Sequence, residues 1–261
     1  MNPSFSAPLD VKLMNATALA LYGVFAVVVL GIVAAWAMQS PIFSIWKITV
    51  VGDVAHTNAI TLRANVAHRL KGSFVTLDLV RAREIFESVP WVRRAVVKRE
   101  FPNRLKVQLQ EHQAVAYWGA ESESRLLNDQ GEVFEANTGE VEQDGLPRLN
   151  GPQGQGSQVL LAYQCLEPLF ADLDMTLDQL ELTGRGNWLA RLDTGAVLQL
   201  GRGSPPEVLA RTAQFVNTLT QITSKYGRKP EALESADLRH ESGYALRIRG
   251  VTTTELIQRH K

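Results

Sequence analysis

The segment WVRRAVVKREFPNRLKVQLQ, residues 91–110, predicts two adjacent strands joined at Pro102-Asn103. In its second half every other residue is apolar, namely Leu105, Val107 and Leu109. A period of two is typical of a strand that buries one face, because successive side chains point to opposite sides of the backbone. We therefore expect strands at 91–101 and 104–110, with one face of the pair packed against other elements.

Two helices and one further strand are expected before this pair. Ile48–Val51 is rich in β-branched residues, which favour a strand. Thr57 and Asp78 are suitable N-caps for helices over 58–70 and 79–88, because their side chains accept hydrogen bonds from first-turn N–H groups. The order β-α-α-β-β within about 65 residues predicts a small α+β unit with its helices on one face of the sheet.

A membrane anchor is expected near the N-terminus. No residue between Leu13 and Trp46 carries a formal charge, and residues 19–38 form an apolar run of 20 residues. At about 1.5 Å per residue, a helix of this length spans roughly 30 Å, the thickness of a bilayer's hydrocarbon core. The run exceeds the apolar region of a signal peptide, about 7–15 residues, so we expect a retained helix rather than a cleaved leader. The flanking charges do not decide which end faces the cytoplasm.

Short strands predominate after Ala114, and a mostly antiparallel β-domain with helices is expected. The predicted strands lie at 114–119, 126–127, 133–134, 179–182, 188–192 and 196–200. The predicted helices are 157–173, which Pro168 is expected to end or kink, and 207–226 after Pro205-Pro206. The expected division of the chain is a tail at 1–18, a transmembrane helix at 19–38, an α+β domain at 42–111, a β-domain at 114–250 and a tail at 251–261.

The segment ADLRHESGYALRIRG, residues 236–250, predicts a final hairpin whose second strand is 244–248. An edge strand has unpaired N–H and C=O groups that invite another polypeptide to pair with it. The apolar residues of this strand share one face: Tyr244, Leu246 and Ile248. Two interpretations remain open, a docking edge for a partner or an ordinary terminus whose apolar residues belong to the core.

The composition excludes several functions. Lys+Arg and Asp+Glu are both 27, and this balance argues against nucleic acid or anionic lipid as a main partner. Cys165 is the only cysteine, so neither an internal disulfide nor a multi-cysteine zinc site is possible. The five histidines show no metal-binding spacing, and no G-x-S-x-G or nucleotide-binding motif is present. We therefore predict no catalytic residue, no metal and no cofactor.

A basic run on the predicted hairpin is open to more than one interpretation. It comprises Arg93, Arg94, Lys98, Arg99, Arg104 and Lys106. A solvated strand face is the simplest explanation, and contact with acidic lipid headgroups or with a partner strand is the alternative.

Five segments, together with the anchor, resemble the FtsQ/DivIB family of bacterial cell-division proteins. They are IWKITVVGD, VPWVRRAVVKREFPNRLKVQLQEHQAVAYWG, LNDQGEVFEA, LQLGRG and DLRHESG. The β-α-α-β-β unit resembles the POTRA domain of that family, and the remainder resembles its β-domain. Isolated POTRA units also occur in outer-membrane assembly systems, so a periplasmic chaperone or transport module is the alternative.

The resemblance implies a non-enzymatic, single-pass protein of the bacterial inner membrane at the division septum. Its N-terminus would be cytoplasmic and its C-terminal bulk periplasmic. It implies that the last strands bind FtsB and FtsL, and that the POTRA and transmembrane region contacts earlier divisome proteins such as FtsK. The role implied is to recruit and control septal peptidoglycan synthesis.

The resemblance also implies which residues bind the partner. By position the binding turn and strand comprise Arg239, His240, Glu241, Ser242, Gly243, Tyr244, Leu246, Arg247 and Ile248. Arg185 is a second candidate contact for an acidic residue. The family often has an aromatic hydroxyl residue at the position of His240 and Trp near Ile248, so those individual contacts differ in this protein.

Overall fold

The protein folds into two compact units, residues 1–111 and 112–261. The computed structural model describes residues 9–39, 45, 47–53, 55–57, 59–141, 145–240 and 243–251. The outer parts of the two predicted tails, residues 1–8 and 252–261, lie outside the described residues.

The first helix, α1, spans Leu9–Gln39. Within it Leu13–Val33 has a mean hydropathy of 2.5 over its most apolar window and none of that window is buried. By length and composition this stretch is able to cross a membrane. The helix contains the whole of the predicted span 19–38.

The rest of the first unit has the predicted order β-α-α-β-β. Its elements are β1 (Lys47–Asp53), α2 (Ala59–Val66), α3 (Leu79–Glu87), β2 (Val92–Glu100) and β3 (Arg104–Glu111). The sheet order is β1-β3-β2, with β3 parallel to β1 and antiparallel to β2. The α+β class is thereby confirmed.

The alternation in β3 has the predicted result. Leu105, Val107 and Leu109 are at most 2% exposed and form the floor of the core under the helices. The carboxylate of Asp78 caps α3, accepting from the N–H groups of Val80 and Arg81. The prediction for α2 was too long, because the helix ends at Val66 rather than at residue 70.

In the part of the second unit that the structure describes, nine strands form one mixed sheet, most of whose pairings are antiparallel. The strands are β4 (Ala114–Trp118), β5 (Arg125–Asn128), β6 (Val133–Glu135), β7 (Arg148–Asn150), β8 (Leu177–Leu182), β9 (Asn187–Leu192), β10 (Val197–Arg202), β11 (Leu233–Asp237) and β12 (Ala245–Ile248). Their order is β12-β11-β10-β9-β8-β7-β4-β5-β6, so β12 and β6 are the two edges.

Two helices, α4 (Gly156–Ala171) and α5 (Pro205–Lys225), pack on one face of this sheet. Together they bury a core that includes Trp188, Phe170 and Phe215. The opposite face carries mostly half-exposed side chains, as the alternating burial along β8 and β9 indicates.

One strand of this unit was not predicted, and one expectation was met only in part, because the helix predicted at 157–173 is present but is not ended at Pro168. Strand β7 was not predicted, because three residues followed by Gly-Pro are too short to show a period. Pro168 does not end α4, which continues to Ala171. Leu166 and Phe170 flank the proline and are at most 2% exposed, so packing against the sheet outweighs the lost hydrogen bond.

Candidate docking edge

The candidate site is the edge formed by β12 and the turn that precedes it. Strand β12 pairs antiparallel with β11, with Asp237 opposite Ala245 and Ala236 opposite Leu246. Among the residues that the structure describes, no strand pairs with the outer side of β12. The predicted final hairpin is therefore present, and its second strand is a sheet edge.

The backbone of β12 presents hydrogen-bonding groups to this open side. The N–H of Arg249, just after β12, donates to the C=O of Ala232, just before β11, at 2.7 Å. Backbone groups of alternate residues point to the same side of a strand. The N–H and C=O groups of Leu246 and the N–H of Ile248 therefore point away from β11, towards the open side. The C=O of Ile248 accepts a hydrogen bond from the N–H of Val251 at 3.1 Å.

The side chains of β12 divide between the two faces as predicted. Ile248 is 7% exposed and Leu246 is half-buried, both on the face covered by helices. The ring of Tyr244 packs edge-on against Phe215 of α5 at a centroid distance of 5.3 Å, and its hydroxyl contacts that of Thr218. Packing against α5 therefore anchors the edge strand while its backbone stays open on the outer side.

Arg239 is held by a carboxylate of the same hairpin. Its Nε donates to Oδ1 and Oδ2 of Asp237 at 2.9 and 3.1 Å, and its Nη2 donates to Oδ2 at 2.6 Å. These side-chain hydrogen bonds lower the pKa of Asp237 from 3.8 to about 2. The Arg239 side chain remains 55% exposed, so the guanidinium is oriented and still open to an incoming group.

A second ion pair lies further along the edge. Arg247 Nε lies 2.8 Å from Oε2 of Glu234, with the Arg247 side chain 78% exposed. His240 and Arg249 are also exposed. In both ion pairs the arginine is more exposed than its carboxylate, 55% against 24% for Arg239 and Asp237 and 78% against 37% for Arg247 and Glu234.

A glycine allows the segment around Arg239 to lie close to β10. Gly201 has a φ of +84°, and a Cβ there would lie 3.3 Å from the Arg239 Cα and 2.7 Å from Nη1 of Arg211. Arg211 of α5 donates to the backbone carbonyl oxygens of Leu200 and Arg202, which fixes this irregular part of β10. The part of β10 next to Arg239 is therefore fixed by the close contact at Gly201 and by the hydrogen bonds from Arg211.

Arg185 is not in contact with the edge strand. It lies exposed in the turn between β8 and β9, at the end of the sheet that also carries the β11–β12 turn, since Gly201 pairs with Trp188. Three strand spacings separate β12 from β9, roughly 15 Å. The structure therefore brings Arg185 to the same end of the sheet but leaves it a separate contact point.

Two predicted site residues, Glu241 and Ser242, lie outside the described residues, and Gly243 is exposed. Sequence reasoning missed Asp237 and Glu234, the partners of the two arginines. A signal existed for Asp237, because residues two apart in an extended segment share a face. Glu234 had no local signal, because its partner lies on the next strand.

The described residues contain no group of three or more His, Cys, Asp or Glu side chains that could hold a metal ion. The features present are an apolar membrane-spanning helix, an α+β unit with POTRA order, and a β-domain with an open edge. They define a single-pass, membrane-anchored POTRA protein.

Comparison with known proteins narrows this class. The family model for the C-terminal domain of cell division protein FtsQ/DivIB matches residues 116–239, and the FtsQ-type POTRA model matches residues 43–112. Cell division protein FtsQ of Thiomonas arsenitoxydans is 39% identical over 248 residues, covering 94% of this protein and 89% of the relative. FtsQ of Burkholderia pseudomallei is 36% identical over 243 residues, covering 93% and 94%. The protein therefore belongs to the FtsQ family of bacterial cell-division proteins, as the sequence resemblance predicted.

Membership establishes a single-pass membrane protein with a role in cell division. The matched families are those of a division protein and of a POTRA domain, and neither describes an enzyme. The matching POTRA model is of the FtsQ type, and this favours a cell-division protein over an outer-membrane assembly module.

Proposed function

We propose that this protein is a scaffold of the divisome that binds FtsB and FtsL at the open edge of β12. Its N-terminus lies in the cytoplasm, and its POTRA and β-domains lie in the periplasm at the division septum. By holding these partners it helps to recruit and control septal peptidoglycan synthesis. The POTRA and transmembrane region is proposed to contact FtsK and other divisome proteins.

The observation that carries this proposal is a set of outward-facing backbone groups on an edge strand, namely the N–H groups of Leu246 and Ile248 and the C=O of Leu246. Strand addition uses such groups for affinity and alternate side chains for register. A partner strand beside β12 would place every other side chain against Tyr244 and Leu246, over α5. These contacts would cover an edge that otherwise invites non-specific pairing.

Charge supports a partner with acidic residues beside its strand. Arg239 and Arg247 present exposed guanidinium groups, and a guanidinium pairs with a carboxylate through two parallel hydrogen bonds. Arg185, at the same end of the sheet, would meet an acidic residue outside the added strand. Tethering in one membrane raises the effective concentration of such partners, so a modest affinity suffices.

Photo-crosslinking in dividing cells tests the proposed edge. A photoreactive residue at Ala245, exposed on β12, is expected to crosslink to FtsB. The matched control is Val133, which is 41% exposed on β6, the opposite edge of the same sheet. Crosslinks from Val133 but none from Ala245 would place the partner on the wrong edge and refute the proposal.

Charge reversal tests the contribution of the arginine. Arg239→Glu is expected to weaken FtsB capture at least tenfold, because it replaces a charge-assisted pair by repulsion. Arg191→Glu on β9, an exposed arginine of the same sheet, is the control and is expected to bind normally.

The cellular location of a fluorescent fusion protein separates this role from that of an outer-membrane assembly module. A septal signal supports the divisome scaffold, and a uniform envelope signal supports the assembly module.

A further inference from the structure

The turn between β2 and β3 carries an unusually exposed aromatic ring. Phe101 is 84% exposed, and its ring touches only the edge of Phe74 among the aromatic rings described, at a centroid distance of 5.9 Å. Val75, in the neighbouring loop, is 45% exposed. Burying an aromatic ring is favourable, so this ring is available to a membrane or to another surface.

This turn lies at the end of the POTRA sheet where the polypeptide arrives from the membrane helix. Lys47, the first residue of β1, pairs with Arg104, the first residue of β3. Ile45 packs against the core cluster that contains Leu77 and Leu105. Six residue steps from Gln39, the end of α1, to Ile45 span at most about 21 Å. The tether therefore keeps the Phe101 turn close to the bilayer that holds α1.

The sheet face next to this turn is basic. Lys98 of β2 lies directly opposite Lys106 of β3, and in the next row Arg104 lies between Lys47 and Glu100. All five side chains are exposed and lie on the face opposite the helices. Like charges directly opposite each other destabilise a strand pair, so the fold tolerates a cost that an anionic ligand would relieve.

We propose that this turn and basic face dock on the surface of the same bilayer that anchors α1. Phe101 inserts at the interface, where aromatic rings are favoured. Lys47, Lys98, Arg104 and Lys106 bind anionic phosphate headgroups, each contributing about fivefold to the local affinity. Docking fixes the height and tilt of the POTRA domain above the membrane. This inference does not depend on the partner edge or on which side of the membrane the domain lies.

Depth-dependent fluorescence quenching of the full-length protein in nanodiscs tests this contact. The exposed Cys165 is replaced by Ser, and an environment-sensitive fluorophore is attached at Asn103→Cys, beside the turn. The control label is at Gln110→Cys, about 20 Å along the same strand. Nanodiscs contain phosphatidylethanolamine with a minority of phosphatidylglycerol, and the quencher is a headgroup spin label. We expect several-fold stronger quenching at residue 103 than at residue 110.

Variants separate lipid binding from simple proximity. K98Q/K106Q removes two charges without breaking the strands, and the bound population is expected to fall at least tenfold. Arg94→Gln, on the same face at the other end of β2, is expected to change little. Phe101→Ser is expected to reduce the quenching, whereas Ile60→Ser, which alters a side chain on α2 that is 82% exposed, is not.

Three results would overturn the proposal. One is equal quenching at residues 103 and 110. Another is quenching at residue 103 that persists unchanged in phosphatidylcholine nanodiscs and in K98Q/K106Q. The third is burial of the residue 103 label only after a partner protein is added, since that result would assign this surface to protein rather than lipid.

Discussion

Replacing Glu111 by Gln is expected to destabilise the POTRA unit by about 3 kcal/mol. This carboxylate, at the end of β3, accepts from the N–H groups of Ala55, His56 and Thr57 at 2.8, 3.0 and 2.7 Å. Its side chain is only 7% exposed. A glutamine leaves at least one of the three N–H groups facing an NH₂ group, which costs about 1–3 kcal/mol, and the remaining bonds lose their charge assistance, about 1 kcal/mol each.

Hydrogen exchange of the full-length protein in nanodiscs measures this loss. Amides of the buried part of β3 are expected to lose about 100-fold in protection, since 1.4 kcal/mol corresponds to a factor of ten. The control is Glu87→Gln, because Glu87 accepts from a single backbone N–H, that of Ala95, at 3.1 Å. A loss below tenfold at Glu111→Gln, or one no larger than for the control, would refute the reasoning.

The same carboxylate sets a dependence on pH. Burial alone would raise the pKa of Glu111, but the hydrogen bonds from the His56, Thr57 and Ala55 segment outweigh it and lower the pKa below 4.5. A lowered folded pKa means that this stabilisation is complete above the unfolded value and is lost as the pH falls through the folded value. Protection of β3 should therefore decline in acid in the wild type and much less in Glu111→Gln.

Two further predictions concern the β-domain. Gly131→Ala is expected to cost about 2–4 kcal/mol, because φ is +76° and a Cβ would lie 2.4 Å from the Ser157 Cα. Gly154→Ala, with φ of +81° and open space around it, should cost only about 1 kcal/mol, so calorimetry should show a clearly smaller fall in Tm. The carboxyl of Asp237 should titrate near pH 2, and in Arg239→Gln its pKa should return towards 3.8, as followed by carbon-13 NMR. The stability contributed by the Asp237–Arg239 pair is complete above about pH 4 and is lost as the pH falls towards 2. An unchanged Asp237 titration in Arg239→Gln would show that the arginine does not lower this pKa.

The sequence predicted the helices and strands whose own residues show a local pattern, such as apolar alternation or a capping side chain. Alternation in β3 and the Asp78 cap of α3 were sufficient because both are local. The end of α2 and the short β7 depend on packing against distant residues. Local patterns cannot report such packing, so these features were missed or misplaced.

For the candidate site, the sequence indicated a terminal strand but not its surroundings. That β12 is an edge follows from the order of nine strands, which includes parallel pairs between distant segments such as β10 and β11. The same long-range order brings Arg185 to the end of the sheet that carries Arg239. The spacing of two residues places Asp237 and Arg239 on one face, but their two-point hydrogen bonding depends on side-chain geometry that the spacing does not specify.

The most direct test of the account is residue-resolved amide exchange of β12 when FtsB is added. We expect new protection at Leu246 and Ile248, whose N–H groups point outwards, and little change at Ala245 and Arg247, whose N–H groups already face β11. If the partner binds while Leu246 and Ile248 exchange as fast as before, β12 is not completed by a partner strand and the central claim is wrong.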